Sequence, residues 1–334
     1  MIQQRAAAAG LGLALLSAAT FGTSGSFARS LTDAGWSSGA AVAARISVAA
    51  LILAVPAVVS MRGRWHVLRR NVGMVAIYGL VAVAGCQVFF FNAVQHLSIG
   101  VALLLEYLGT VLVVGWMWLR HGHRPPRLTV AGSVVALVGL AFVIDVTGGS
   151  RLDWVGVLWG LGAAVGLATY FVLSAKGDGD LPPVAMASAG MSIGAVALFS
   201  LGALGALPMH ASFGTVGFAG HRAHWLVPVI GLSLVAAAIA YVAGIAAARI
   251  LGPKLASFVG LTEVLFAMLV AWLLLAELPT GVQLAGGVLI VAGVALVRVD
   301  DLRPARSSSK VPDVPAPAPD NRVPVAVATR TLPG

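Results

Sequence analysis

The sequence predicts an all-α polytopic membrane protein with ten transmembrane helices in two inverted five-helix repeats. Three observations carry this. Apolar residues make up 59% of the 334-residue chain and charged residues 10%, whereas soluble domains carry about 25% charged residues, so too few remain to cover a globular surface. The mean hydropathy is +0.96, and the apolar residues fall in blocks of about twenty, the length that crosses a hydrocarbon core about 30 Å thick. Finally, a block near the C-terminus repeats the small-residue pattern of one near the middle of the chain.

The blocks predict spans over residues 8–29, 39–60, 72–92, 99–119, 128–146, 154–173, 184–203, 226–248, 254–275 and 282–297. Each must be helical, because lipid offers no partner for a free backbone group. The first block follows Arg5 and so resembles a secretory leader, but its length and the nine spans behind it predict a retained helix. The second carries Arg45 and the third Tyr78, Cys86, Gln87 and Asn92. The fourth holds Glu106 and Tyr107, the sixth Tyr170, the eighth Tyr241 and the ninth Glu263. Cys86 is the single cysteine; it has no partner for an internal disulfide and reads as packing. From residue 299 onward the chain turns polar and then proline-rich, with Pro312, Pro315, Pro317 and Pro319, a composition that predicts a disordered tail over 299–334.

The loops orient the chain. Arg62, Arg64, Arg69 and Arg70 lie between spans two and three, Arg120, Arg124 and Arg127 between four and five, and Arg249 and Lys254 around the turn between eight and nine. The alternate loops hold only Arg29, Arg151 and Arg222. The richer loops all share one side, and the positive-inside rule makes it the cytoplasm, with both termini. Trp36, Trp65, Trp154 and Trp225 fall near span ends, where an interfacial belt places them. The net charge of +9 is spent in these connections and the tail, which excludes a basic nucleic-acid-binding face.

Residues 130–144 align with 284–298: Ala131, Gly132, Val134, Gly139, Ala141 and Val143 face Ala285, Gly286, Val288, Gly293, Ala295 and Val297. A repeat of five helices must be inserted upside down in its second copy, so the units are expected over 1–147 and 148–298. Such symmetry is typical of secondary transporters, whose solute site lies near the midplane where the halves meet.

The same residues resemble a family. The opening segment from Ser17 to Arg29, Arg45 in its "AARIS" context, "ALLLEYLGTVLVV" around Glu106, and "LTEVLFAMLVAWLLLAE" from Leu261 to Glu277 are similar to the ten-helix EamA-type members of the drug/metabolite transporter superfamily. The resemblance covers about residues 8–298 and implies an exporter of amino acids or related metabolites; the high glycine and alanine content and the excess of arginine over lysine predict a bacterial source, and so the inner membrane. Two positions depart from the pattern. Thr110 stands where the family often has proline after "EYxG", and Val264 follows Glu263 where proline is common. Proline kinks a helix, so these two helices are expected to run straighter.

Arg45, Glu106 and Glu263 are the charges well inside spans. A charge at bilayer depth costs about 2.5–3.5 kcal/mol on insertion scales, so it faces the bundle interior and marks a pathway or a paired network. The expected solute site therefore combines Arg45, Glu106 and Glu263 with Tyr78, Tyr107, Tyr170 and Tyr241: arginine for a carboxylate, the glutamates for an ammonium or a coupled proton. The alternative for Arg45 is an ion pair with Glu106 that locks helices. His96, His121 and His123 belong to span ends or loops, Glu277 to the outer interface, and neither a metal nor a cofactor is expected. HExxH, GxSxG, GxxxxGK[ST] and paired CxxC patterns are missing from the sequence, so no enzymatic site is read and transport would run on a gradient or on exchange. The expected partners are a small organic solute and the bilayer, with room for a homodimer. The competing readings are efflux of lipophilic cations, an ion channel, and a lipid-binding scaffold or membrane-embedded enzyme.

Overall fold

The computed structural model describes residues 2–97, 99–122, 125–144, 153–176, 181–275 and 278–302. Arg124, His123, Arg151, Glu277 and the proposed tail beyond residue 302 lie outside the described residues, as does the side chain of His121. The described chain is helical except for one short hairpin. Among the described residues nine helices are long and apolar enough to cross a membrane, and a shorter apolar helix covers Glu263–Leu274.

The count of nine is reconciled with ten crossings at one residue. The run Leu226–Gly260 has 35 residues, about 52 Å as a single helix and far too long for one crossing. It breaks at Gly252, whose φ of 78° and ψ of 164° lie outside the helical region. Only glycine enters that conformation freely, and Pro253 then restarts the helix with its fixed φ. Span eight therefore ends before Gly252, and span nine runs from Pro253 through Leu275.

Spans five (Arg127–Ile144) and ten (Gly281–Leu302) pack against each other along nearly their whole length. The aligned glycines make the contact. A Cβ on Gly139 would lie 2.6 Å from the Gly286 carbonyl oxygen, and one on Gly132 would lie 2.8 Å from that of Gly293. Exchanging the two repeats turns the Gly132–Gly293 contact into the Gly286–Gly139 contact, as a two-fold relation between the halves requires. One further feature recurs at matching places. Span three is π-helical over Tyr78–Gly85, and span eight over Gly231–Ile239.

Spans four and nine are interrupted, contrary to the expectation that loss of proline straightens them. Span four splits into Ile99–Tyr107 and Gly109–His121; span nine breaks at Leu261–Thr262, just before Glu263–Leu275. Both tighten to i→i−3 hydrogen bonds there, Val111 to Leu108 at 2.9 Å and Thr262 to Val259 at 3.0 Å. Threonine hydroxyls bond back to the backbone at both places: Thr110 Oγ1 donates to the Tyr107 carbonyl at 3.0 Å and Thr262 Oγ1 to that of Val259 at 2.6 Å. Such back-bonding competes with the regular ladder and bends helices.

Two other expectations change. The last helix continues through Leu302, so Asp300 and Asp301 belong to span ten rather than to a tail. Lys254 Nζ pairs with Asp301 at 2.5 Å and Asp300 at 3.6 Å, and Thr129 Oγ1 donates to Asp300 at 2.5 Å. This network fastens the start of span nine to spans five and ten. The connection between spans seven and eight is also ordered. It forms the antiparallel hairpin β1 (Thr215–Phe218) and β2 (His221–His224) around Ala219 and Gly220, both at positive φ, which suits a two-residue turn. Phe218 stacks on Phe27 at 5.2 Å, and Trp36 Nε1 donates to the Ser212 carbonyl at 2.6 Å.

Candidate solute site

The interior of the bundle holds a cavity of about 180 Å³. Spans one, two, three, four, six, eight and nine all reach it. Six of the seven residues expected at the site line it: Arg45, Glu106, Tyr107, Tyr170, Tyr241 and Glu263.

Arg45 comes from span two (Ser38–Ser60) and is only 8% exposed. Its Nη2 donates to the Ala236 carbonyl at 2.5 Å, inside the π-helical stretch of span eight. Its guanidinium lies 5.6 Å from the centre of the Phe21 ring, and its Nε has no hydrogen-bond partner. Among the described residues it forms no ion pair with Glu106 or Glu263. The helix-locking alternative is therefore absent from this conformation, and part of the guanidinium stays free for an anion.

Glu106 precedes the interruption of span four and Glu263 follows that of span nine, so both carboxyls sit where the backbone ladder is disturbed. Broken helices at the midplane place solute groups against backbone ends in many transporters. Glu106 Oε1 accepts from Cys86 Sγ at 3.3 Å, and Tyr107 neighbours Glu263. Cys86, read from sequence as packing, thus belongs to the cavity wall. It reaches Glu106 because span six (Trp154–Ala175) carries Gly166 opposite: a Cβ there would lie 2.6 Å from the Cys86 Cβ. A lone cysteine in an apolar segment gives no sequence signal for this.

The aromatic wall is a cluster. Tyr241 lies 5.0 Å from Phe21 and 5.5 Å from Tyr170, and Tyr170 lies 4.9 Å from Phe171, all edge-on, the arrangement that ring quadrupoles favour. Gly244 makes room for it: an added Cβ would collide with the Tyr170 hydroxyl and lie 2.8 Å from Ser17 Oγ. Gly244→Ala is accordingly expected to displace the Tyr170 ring into the cavity and raise the half-saturation concentration for transport about tenfold, comparable to a lost polar contact, with helix content unchanged by circular dichroism.

Tyr78 is the exception. It is fully buried and absent from the cavity wall. The π-helical stretch begins at Tyr78 and turns it toward span seven (Pro183–Ala203), where a Cβ on Gly190 would lie 2.5 Å from its ring. Of the two amides noted, Gln87 lines the cavity, while Asn92 donates to the Val88 carbonyl of its own helix. No group of three His, Cys, Asp or Glu side chains among the described residues could hold a metal ion. His96 pairs with Asp153 at 2.8 Å, joining the end of span three to the start of span six. The Val155 N–H first, and then His96, hold the Asp153 carboxyl below the usual carboxylate range.

The sequence profile of the EamA-like transporter family matches twice, over residues 8–145 and 154–299. An uncharacterized transporter of Archaeoglobus fulgidus is 28% identical over 221 residues, 66% of this chain and 73% of that protein. A probable terminal-alkyne amino-acid exporter of Streptantibioticus cattleyicolor is 29% identical over 267 residues, 79% of this chain and 85% of that one. The pseudopaline exporter CntI of Pseudomonas aeruginosa is 36% identical, but over 69 residues, 21% of this chain and 24% of its own. One crystal structure superposes with a TM-score of 0.70 at 19% identity, covering 87% of this chain and 97% of that chain. It supports the fold alone.

Proposed function

The chain belongs to the EamA-like transporter family, and from that premise we propose that it is a secondary active exporter of a small amino acid or a related zwitterionic metabolite. The observation that carries the reading is one cavity presenting a guanidinium with an unpartnered Nε and two carboxyls from helices interrupted beside them. A zwitterion matches both signs. Its carboxylate takes the free edge of Arg45, and its ammonium goes to Glu106 and Glu263. Two carboxyls face one guanidinium, so a solute ammonium or a coupled proton supplies the second positive charge. The relative named a probable terminal-alkyne amino-acid exporter supports the same class, over 79% of this chain and 85% of its own. Size points the same way: drug-sized ligands occupy pockets of about 300–1,000 Å³, and this cavity is about 180 Å³.

Transport by alternating access fits the double family match, with the solute held where the halves meet. The loop arginines support a cytoplasmic side for both termini, and a bacterial inner membrane is the setting this reading takes. Efflux of lipophilic cations draws on the aromatic cluster and the two glutamates, but Arg45 already occupies the face of Phe21 and repels a cation there.

The test is counterflow in proteoliposomes, preloaded with an equimolar mixture of the twenty amino acids and assayed for uptake of the same labelled mixture. Saturable uptake that needs the internal pool is expected. Glu106→Gln should lower it at least about thirtyfold, since removing one member of a buried charge pairing costs about 2–5 kcal/mol. Uptake that is linear in concentration and independent of the pool would contradict the carrier reading.

A further inference from the structure

We propose that Arg249, Tyr78 and Ser174 form a second binding station for the carboxylate of the solute, on the cytoplasmic side of the Arg45 cavity and visited before it during export. The proposal rests on the zwitterion reading and extends it to residues outside the cavity wall.

These three side chains come from spans eight, three and six, near the end of the bundle that holds the arginine-rich loops. Arg249 Nη1 donates to the Leu181 carbonyl at 2.5 Å, and Nη2 lies 3.7 Å from Met186 Sδ. Those contacts fix the plane of the guanidinium and leave its buried Nε without a partner. The Tyr78 hydroxyl and Ser174 Oγ are also buried without hydrogen-bond partners, and both residues are fully enclosed. Tyr78 neighbours both Ser174 and Arg249. One of the two hydroxyls can donate to the other, but the second hydroxyl hydrogen and the Arg249 N–H stay unmade; buried donors left so cost about 1–3 kcal/mol each and are few in native structures, and two side by side call for a ligand. Among the described residues Arg249 has no carboxyl partner. A guanidinium N–H and two hydroxyls can all donate at once, and the group that accepts from all three is an anion with planar lone pairs, a carboxylate.

The station also connects to the cavity. Tyr78 lies 5.9 Å from Tyr170, Tyr170 lies 5.5 Å from Tyr241, Tyr241 lies 5.0 Å from Phe21, and Arg45 covers Phe21. This unbroken line of rings runs from one arginine to the other. Each arginine has one nitrogen fixed by a backbone carbonyl and an Nε free, Arg45 through Ala236 and Arg249 through Leu181. Tyr170 separates the two stations, so movement of its ring would pass a carboxylate from the first to the second.

Sidedness tests this. Membrane vesicles of both orientations are assayed for counterflow of the labelled twenty-amino-acid mixture, with wild type, Tyr78→Phe, Arg249→Lys and Arg45→Lys. Tyr78→Phe keeps the ring against Gly190 and Tyr170, and lysine keeps the charge without the planar fork, so both should fold; melting temperature in detergent checks this. Tyr78→Phe and Arg249→Lys should raise half-saturation about tenfold from the Arg249 face, the effect of one lost charge-assisted bond. The opposite face should stay within about twofold, while Arg45→Lys raises both. Equal shifts on the two faces, or a lower melting temperature with unaltered half-saturation, would overturn the station and assign the three donors to packing. Absence of wild-type counterflow from either face would instead remove the zwitterion reading, and the station with it.

Discussion

Arg45→Glu abolishes counterflow of a carboxylate-bearing solute, a loss expected to exceed about a hundredfold, and Arg45→Gln comes close to it. Among the described residues the arginine is the one cation of the cavity wall. Replacing it by glutamate puts three carboxyls around about 180 Å³, so the solute carboxylate meets only negative charge. Truncating one partner of a buried charge pair costs about 2–5 kcal/mol, roughly thirtyfold to several thousandfold in affinity, and reversal adds repulsion. Arg45→Lys should retain part of the activity, because it keeps the charge but loses the planar fork that suits a carboxylate. The bond from Nη2 to the Ala236 carbonyl has a second consequence. Without it, the π-helical turn of span eight loses its fastening to span two, so the variants should also move more freely there in hydrogen exchange. The same reversal separates the rival reading, since efflux of a lipophilic cation would survive Arg45→Glu or improve.

Gly139→Leu and Gly286→Leu are each expected to eliminate folded protein. The backbones of spans five and ten touch at these residues: a Cβ on Gly139 would lie 2.6 Å from the Gly286 oxygen and 2.7 Å from the Ile290 nitrogen, and a Cβ on Gly286 would lie 2.6 Å from the Gly139 oxygen. Backbone cannot rotate away as a side-chain tip can, so the helices must separate. Overpacking a tight interior costs about 1–3 kcal/mol even where side chains can yield, and here separation would forfeit the packing of small residues that holds membrane helices together. The repeat makes the prediction more specific, because the four glycines at 132, 139, 286 and 293 should give matching losses in symmetry-related pairs. Gly12→Ala is the control. Nothing lies within 4 Å of a Cβ there, and monodisperse yield by size-exclusion chromatography should equal wild type.

The crossings were legible in the sequence because a membrane imposes one length and one polarity on every span. The intramembrane charges were legible for the same reason: Arg45, Glu106 and Glu263 stand out against an apolar background and converge on one cavity. The glycines of spans five and ten were legible as a repeated string, and the structure adds their mutual contact. What was hidden depended on rotation and on partners far away in sequence. Tyr78 looked equivalent to Tyr170 and Tyr241, but the π-helical turn that starts at Tyr78 redirects it toward Gly190, and no residue type marks such a turn. Cys86 gained its role through Gly166, eighty positions on in the sequence. The interruptions beside the glutamates form without proline, where the Thr110 and Thr262 hydroxyls bond back to the Tyr107 and Val259 carbonyls, a device invisible to a rule that looks for proline. Likewise, Asp300 and Asp301 read as the start of a tail until Lys254 is seen across from them.

The central claim is that the Arg45–Glu106–Glu263 cavity is the path of the solute, and the single cysteine reports on it directly. Cys86 is buried in the cavity wall against Glu106. Methyl methanethiosulfonate, small enough to enter, would be applied to proteoliposomes while counterflow is followed, with and without saturating transported solute. Modification of Cys86 is expected to block transport, the solute should slow that block at least about fivefold at [L] above about four times Kd, where most sites are filled, and Cys86→Ser should transport while resisting the reagent. Blockade at the same rate with and without a solute that the protein demonstrably carries would contradict the account and place the path elsewhere in the bundle.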